Sequence, residues 1–354
     1  MKLLIITQKV DMNDDNLGSF HDWLKKLAQK SDLFVIANYV GKYELSDNVK
    51  VFSLGKEMGV GRFMKIIKYQ WFLLRLLPKA DGIFFHMCPE YVLGASLLPK
   101  IFRKKTLLWY THKSVNWKLK LAEKLVGKIF TASKESFRLP SKKVEITGHG
   151  IDIDKFKSQT SRPQRQSAAM AGAAKFKIIT AGRIAEVKNI HLLIDAVEIL
   201  RNKGFDFQIK IAGKPILEND KKYFEKLKEK IREKNLGGII EFVGPMPNKD
   251  IAKFYQNGDL FVNFSDTGSL DKAILEAMAC GLKVLTSNEA FKNIVPKESF
   301  TSNNPQEIAE KIEKLAETEH INTANFAEYV AKNHGLDNLT DKIIQFFATT
   351  KNWT

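Results

Sequence analysis

Two stretches carry residue types and spacings suited to chemistry on an anionic ligand. In "TAGRIAEVKNIHLLIDAVEIL", Gly182 and Arg183 directly follow an apolar run, and Lys188 stands just before a long helical pattern. Two cations at a strand-to-helix turn, beside the free amides and dipole of a helix N-terminus, suit a diphosphate. A solvated basic loop has the same composition, and on these residues alone it is slightly favoured. The second stretch, "SDTGSLDKAILEAMACG", places a loop from Ser265 to Ser269 after "LFVNF" and predicts a helix from near Leu270. Asp271 and Lys272 then fall in its first turn, where free amides can face a phosphate or a sugar. An ordinary Asp cap fits that turn equally well, but Glu276, among the small residues Ala273, Ala277, Ala279 and Gly281, argues for more. A buried carboxylate without a partner is costly or changes its pKa, so it demands a protein partner or a ligand. Its two oxygens can accept from vicinal hydroxyls such as a ribose diol.

The elements that position these residues follow from hydrophobic periodicity. "KLLIIT", "DLFVIANYV", "VKVFSL", "GIFFH", "TLLWYTH", "KIFTAS" and "VEITGHGI" read as strands, with helical patterns such as "FHDWLKKLAQK" and "VNWKLKLAEKLVGK" between some of them. After a stretch without a sustained apolar face, 158–174, the rhythm restarts with "FKIITAGR", "FQIKIAG", a charged helix from Asn219 to Asn235, "IIEFVG" and "DLFVNFS". Strands alternating with helices predict βαβ units and mostly parallel sheets. The expected organisation is an α/β domain over 1–157, a linker over 158–174, a second α/β domain over 175–334, and a C-terminal helix over 335–354 packing back on the first domain. Ligands of such sheets bind outside the carboxyl ends of the strands, so a cleft between two such domains is the expected site.

Composition narrows the function classes. The chain has 354 residues, 44% of them hydrophobic and 27% charged, with a formal net charge of +16. That excess favours an anionic partner: nucleic acid, acidic lipid or a phosphorylated small molecule. Cys88 and Cys280 are the only cysteines, with no metal-ligand spacing, which fits a reducing, cytoplasmic compartment and predicts no metal. "FMKIIKYQWFLLRLLPKA" is the most lipophilic segment, but Lys65, Lys68 and Arg75 interrupt it, so it is not a spanning helix. Between Lys100 and Lys143 there are 13 Lys plus Arg against Glu123 and Glu135, interleaved with Trp109, Trp117, Phe130 and Phe137. Basic residues with interfacial aromatics suit the anionic inner face of a plasma membrane, and "VGRFMKIIKYQWFLLRLLPK" is a second candidate for that surface; a solvated basic face is the competing reading.

As an ordered set, "ITGHGIDIDKF", "AGRIAEVKN", "IKIAG", "EFVGPMPNKDIAKFYQNGDLFVNFS" and "LEAMACGLKVLTSN" resemble the retaining GT-B glycosyltransferases of family 4. The resemblance spans most of Thr147 to Asn288 and is loose in the N-terminal half. It implies two Rossmann-like domains facing each other across a cleft, and a nucleotide-sugar donor held mainly by the second, with UDP ahead of GDP. Arg183 and Lys188 match the family's pair on the donor diphosphate, and Glu276 matches the Glu on the ribose diol, solvated by ligand rather than by protein. His112 in "WYTHKS" matches the His near the transferred sugar, and Gly18 the glycine whose backbone approaches the phosphate. Gly182, Asp266, Gly268, Ser269, Leu270, Asp271 and Lys272 complete the expected donor site. One departure matters: the family's first Glu, eight residues before Glu276, is replaced by Gly268. Either Asp266 or Asp271 contacts the sugar instead, or transfer is lost.

The resemblance further implies a peripheral enzyme of polysaccharide or glycolipid assembly with a glycan or lipid-linked acceptor. A catalytically degenerate homologue acting as a scaffold is the alternative. A nucleic-acid-binding protein is a weaker one, because charge alone suggests it and no reading motif is present.

Overall fold

The computed structural model describes residues 1–157, 175–318 and 323–349; the expected linker, 158–174, lies outside them. The chain forms two compact units: Met1–Asp152 with Pro247–Lys249 and Asn333–Thr354, and Ile153–Met246 with Asp250–Lys332.

In the first unit each of the seven apolar runs of the N-terminal half forms a strand: β1 (Lys2–Val10), β2 (Asp32–Val40), β3 (Val49–Ser53), β4 (Gly82–His86), β5 (Lys105–Trp109), β6 (Lys128–Thr131) and β7 (Val144–Ile146). They make one parallel sheet in the order β3-β2-β1-β4-β5-β6-β7. Between them come α1 (Ser19–Ala28), α2 (Arg62–Leu76), α3 (Pro89–Ala95), α4 (Leu98–Ile101) and α5 (Trp117–Leu125). The period-two alternation of a strand sorts the core. Leu3 and Ile5 join Trp23 and Leu24 on one face, while Leu4 and Ile6 join Leu73, Val92 and Leu119 on the other.

The second unit starts with α6 (Ile153–Phe156) and carries β8 (Phe176–Ala181), α7 (Ile190–Asn202), β9 (Phe207–Ala212), α8 (Glu218–Glu233), β10 (Ile240–Gly244), α9 (Ile251–Gln256), β11 (Leu260–Asn263), α10 (Lys272–Ala279), β12 (Lys283–Thr286), α11 (Pro305–Glu317) and α12 (Ala324–His334). Its parallel sheet runs β10-β9-β8-β11-β12. One face packs Ile178, Ile209 and Val262 against Ile194 and Val197 of α7, Leu227 of α8 and Ile312 of α11.

From Asn333 the chain belongs to the first unit again, and α13 (Leu336–Ala348) places Leu339, Ile343 and Phe347 in the same core as Leu3 and Trp23. Gly82 makes room for it, since a Cβ there would lie 2.3 Å from the Phe347 ring. The segment that precedes α6 is shaped in the same way. Gly150 (φ 68°) accepts a hydrogen bond from Trp23 Nε1 at 3.1 Å, and a Cβ on it would meet the Trp23 ring at 2.6 Å.

His86, at the end of β4, is stacked on Phe20 (centroids 3.7 Å apart) and on Trp109 (5.5 Å), and shares a 3.1 Å hydrogen bond with Thr7 Oγ1. Burial pushes its pKa down to about 3. Burial likewise lowers His334, to about 4. Because unfolding lets these rings take up a proton, stability is full above about pH 6.5 and falls toward pH 3, by up to about 1.4 kcal/mol per pH unit for each ring. Melting temperature is therefore expected to drop between pH 7 and pH 5, and His86→Phe to flatten part of that slope. An identical slope in variant and wild type would contradict the buried neutral ring.

Candidate functional site

In the second sheet the strand order reverses between β8 and β11, which are hydrogen-bonded neighbours. A reversal of this kind opens a crevice at the carboxyl ends, where ligands of doubly wound sheets bind. The two motifs are the turns that leave these two strands. After β8 the chain turns at Gly182 (φ 141°), and Gly213 after β9 lies so close that a Cβ on it would sit 1.8 Å from the Gly182 carbonyl oxygen. A side chain at position 213 is therefore excluded, and the backbone stays open at this end of the sheet.

The turns are tied together. The Asp266 N–H donates to Val187 O at 3.0 Å, and Asn189 Nδ2 donates to Phe264 O at 2.9 Å and to Asp266 Oδ2 at 2.7 Å. Asn189 holds a left-handed conformation (φ 51°) at the start of α7, which a short polar side chain tolerates. The Lys188 ammonium is ion-paired with the Asp271 carboxylate, which also accepts from Asn263 Nδ2 at 3.1 Å. Burial alone would raise the Asp271 pKa; the Lys188 charge and these hydrogen bonds outweigh it and hold the carboxyl below its ordinary value. Arg183 is more open to solvent, with Nε 3.7 Å from Asp220 Oδ2. That oxygen also receives the Ile216 and Leu217 amides at the start of α8, which fixes it in place.

Helix α10 begins at Lys272, two residues later than the sequence suggests, with Asp271 as its N-cap. Leu270 is buried, and Ser269 O accepts from Asn288 Nδ2 at 3.0 Å, so the preceding turn is anchored on both sides. Glu276 corrects the expectation of a carboxylate solvated by ligand alone. It is buried and has two protein partners: Tyr255 O–H donates to Oε2 at 3.0 Å, and Lys272 Nζ, one turn earlier, lies 2.5 Å from Oε1. Burial and then the Glu276 charge push the Tyr255 phenol well above its usual pKa, so it stays a donor. Each carboxylate oxygen has two lone pairs and the Lys188 ammonium has three protons, so both groups keep capacity for a ligand.

The structure thus brings Gly182, Arg183, Lys188, Asp266, Ser269, Leu270, Asp271, Lys272 and Glu276 to the ends of two adjacent strands. Asp266 is exposed, with its second oxygen receiving Asn303 Nδ2 at 2.8 Å; the Asp271 carboxylate is already engaged by Lys188 and Asn263. Gly268 has φ 59°, a conformation in which a glutamate would cost about 1–2 kcal/mol. Gly18 and His112 belong to the first unit. Gly18 precedes α1, and a Cβ on it would lie 2.3 Å from Asp14 O. His112 is exposed beyond β5; its Nδ1 accepts the Ser114 N–H at 3.1 Å, which leaves the proton of the neutral ring on Nε2. Tyr255, Asn189, Asn263 and Asp220 were not singled out by sequence. A tyrosine on a short helix reads as core, whereas a polar residue ending the apolar run "LFVN" was a usable signal. Among the described residues, no group of three or more His, Cys, Asp or Glu side chains could hold a metal ion.

Residues 165–333 match the family model described as Glycosyl transferases group 1. That segment is similar to the group 1 glycosyl transferases. Its relatives include the amylovoran biosynthesis glycosyltransferase AmsK of Erwinia amylovora, 27% identical over 43% of this chain and 35% of that protein. Another is the D-inositol 3-phosphate glycosyltransferase of Arthrobacter sp. strain FB24, 25% identical over 41% of this chain and 34% of that one. The chain therefore covers about a third of the length of these curated relatives. The Anabaena HepE structure, in complex with UDP and glucose, aligns over 99% of this chain and 100% of that one, with a TM-score of 0.73 at 17% identity. The fold is accordingly that of GT-B glycosyltransferases: two parallel-sheet Rossmann-like units.

The Lys188–Asp271 pair is expected to hold the two turns of this domain together. Asp271→Asn should lower its unfolding free energy at neutral pH by about 2–3 kcal/mol, below the range for fully buried pairs because some solvent reaches both groups. A loss under about 0.5 kcal/mol in chemical denaturation would show that the pair contributes nothing.

Proposed function

We propose that this protein is a retaining glycosyltransferase of family 4 that moves a sugar from a nucleoside-diphosphate donor, UDP-sugar before GDP-sugar, to a hydroxyl of a glycan or lipid-linked acceptor in polysaccharide assembly. The observation that carries the reading is the convergence of Arg183, Lys188 and Glu276 at the β8–β11 reversal, inside the segment that matches the family. UDP is favoured because HepE, which shares the fold, was crystallised with it.

In this reading Arg183 and Lys188 meet the diphosphate, Asp271 and Asp220 keep the two cations oriented, and Glu276, steadied by Tyr255 and Lys272, accepts the ribose hydroxyls. Gly182, with Ser269, Leu270, Asp271 and Lys272, shapes the backbone around the donor. Asp266, the exposed carboxylate, takes the sugar-contacting role left open by Gly268. Gly18 and His112 contribute from the first unit, Gly18 to the phosphate and His112 Nε2–H to a sugar hydroxyl. The reaction is a front-face displacement. The bond from the anomeric carbon to the leaving phosphate oxygen breaks, the acceptor oxygen bonds to the same face, and the departing diphosphate takes the acceptor's proton. Charge stabilisation on that leaving group, where Arg183 and Lys188 act, supplies the largest part of the rate enhancement. No metal is required in this scheme.

A second reading, a homologue that binds the nucleotide without transfer, is favoured by one observation: Lys188 and Glu276 are both already ion-paired within the protein. The positive charge of the chain also fits an acceptor presented at an anionic membrane surface.

A thermal-shift panel of UDP, GDP, ADP and their sugars, followed by transfer assays, tests the proposal. One nucleotide, UDP, is expected to stabilise the wild type and not Glu276→Ala. Arg183→Ala should cut turnover by about 100-fold or more, a loss typical of removing one charge-stabilising group, with little change in melting temperature; Lys188→Ala should cut turnover as far and also lower the melting temperature, because it leaves the Asp271 carboxylate without its ion-pair partner. Stabilisation without transfer of any sugar would favour the second reading, and no stabilisation by any nucleotide would overturn both.

A further inference from the structure

The basic segment Lys100–Lys143 does not offer the aromatic face its sequence suggests. Trp109 and Phe130 lie on β5 and β6 with their rings in the core, Phe137 is buried as well, and only Trp117 of the four is exposed. Ile101, Val115 and Leu121 are exposed there too, but the largest group of exposed apolar residues on one element is on α2, with Met58 in the turn before it.

Helix α2 is firmly seated on its inner side. Tyr69, Leu73 and Leu76 are buried, Tyr69 O–H donates to Tyr91 O at 2.7 Å, and Gln70 Nε2 donates to Gly94 O at 2.7 Å, both on α3. At about 100° per residue, Phe63, Leu74, Ile67, Trp71 and Met64 fall in one continuous arc opposite that buried stripe. Phe63 is 76% exposed and the other four are 45–54% exposed. A surface helix ordinarily turns polar residues outward; this one turns a second apolar stripe outward instead. Arg75 and Lys68 border the arc on one side, with the Arg75 guanidinium 5.0 Å from the centre of the Trp71 ring, and α2 contains no acid. Met58, just before the helix, is 67% exposed.

We propose that α2 is a membrane-docking element: it lies in the interface of an anionic phospholipid bilayer, with Phe63, Met64, Ile67, Trp71 and Leu74 among the acyl chains and Lys68 and Arg75 at the phosphates. A rigid helix with an apolar face bordered by cations has the form that partitions into such an interface. Charge selects this occupant. A second copy docked on the same face would bring Lys68 and Arg75 against the same two cations with no acid on the helix to offset them, and the aliphatic stripe has no complement on a nucleic-acid backbone. Among the described residues no helix is long and apolar enough to cross a membrane, so the association is a surface one. It goes beyond the transferase reading and does not rest on it, because vesicle binding needs neither donor nor turnover.

The test is co-sedimentation of the full chain with phosphatidylcholine vesicles, with and without phosphatidylglycerol, at low and high salt. The wild type is expected to bind the anionic vesicles, more weakly as salt rises. A Phe63→Glu, Trp71→Glu double variant should bind at least about ten-fold less, with wild-type circular dichroism; Leu74→Gln serves if that variant does not fold. Failure of the wild type to bind anionic vesicles would overturn the proposal, as would undiminished binding by a folded α2 variant. So would loss of binding in Trp117→Glu with none in the α2 variants. A concentration-dependent dimer dissolved by the α2 variants would assign the face to a second copy and overturn it as well.

Discussion

The ion pair between Lys188 and Asp271 joins the turn leaving β8 to the turn leaving β11, and the geometry of the candidate site depends on it. These strands are adjacent only because the sheet order reverses there, so residues 83 positions apart in sequence meet at one sheet end. The same pair sets the electrostatics. It keeps a cation next to the start of α10 and a carboxylate ionised in a site largely closed to water, where charge has more effect than in bulk solvent. Asn189, Asn263 and the Asp266 amide add hydrogen bonds across the same seam, which keeps the cations preorganised.

Satisfaction of every charged group by a partner changes how the site should be understood. A carboxylate such as Glu276, buried among small residues, invites the inference that a ligand must complete it. Tyr255 and Lys272 complete it within the protein, each using one oxygen. What remains for a ligand is the unused lone pairs, so ligand affinity is a matter of adding acceptor contacts rather than of rescuing an unsatisfied charge. Where the resemblance implies a glutamate, Gly268 occupies a left-handed turn that disfavours one.

The short apolar runs were enough to find all seven strands of the first sheet and four of the second, because parallel strands covered on both faces, such as β4 and β11, read as near-continuous hydrophobic stretches. β12 escaped notice, because "KVLT" runs straight on from the α10 pattern and was read with it. Arg183, Lys188 and Glu276 were legible because cations and a carboxylate at strand-to-helix turns are rare. Their partners were not: nothing local links Tyr255 to Glu276 or Asp220 to Arg183, since these contacts exist only after β9, β10 and β11 have assembled. Aromatic residues of the basic segment were misread for the same reason. Trp109 and Phe130 sit in strands with their rings in the core, while Lys105 and Lys128 stand at the starts of those strands, so charge interleaved in sequence is separated from the aromatic rings in space.

Hydrogen–deuterium exchange with and without saturating UDP tests the central claim most directly, because it reads where a nucleotide acts along the chain. The account predicts slowed exchange in the second unit concentrated at residues 182–190 and 265–276, the two turns that the Lys188–Asp271 pair joins. Slowing confined to other segments of that unit, or none at a concentration that stabilises the protein, would contradict it.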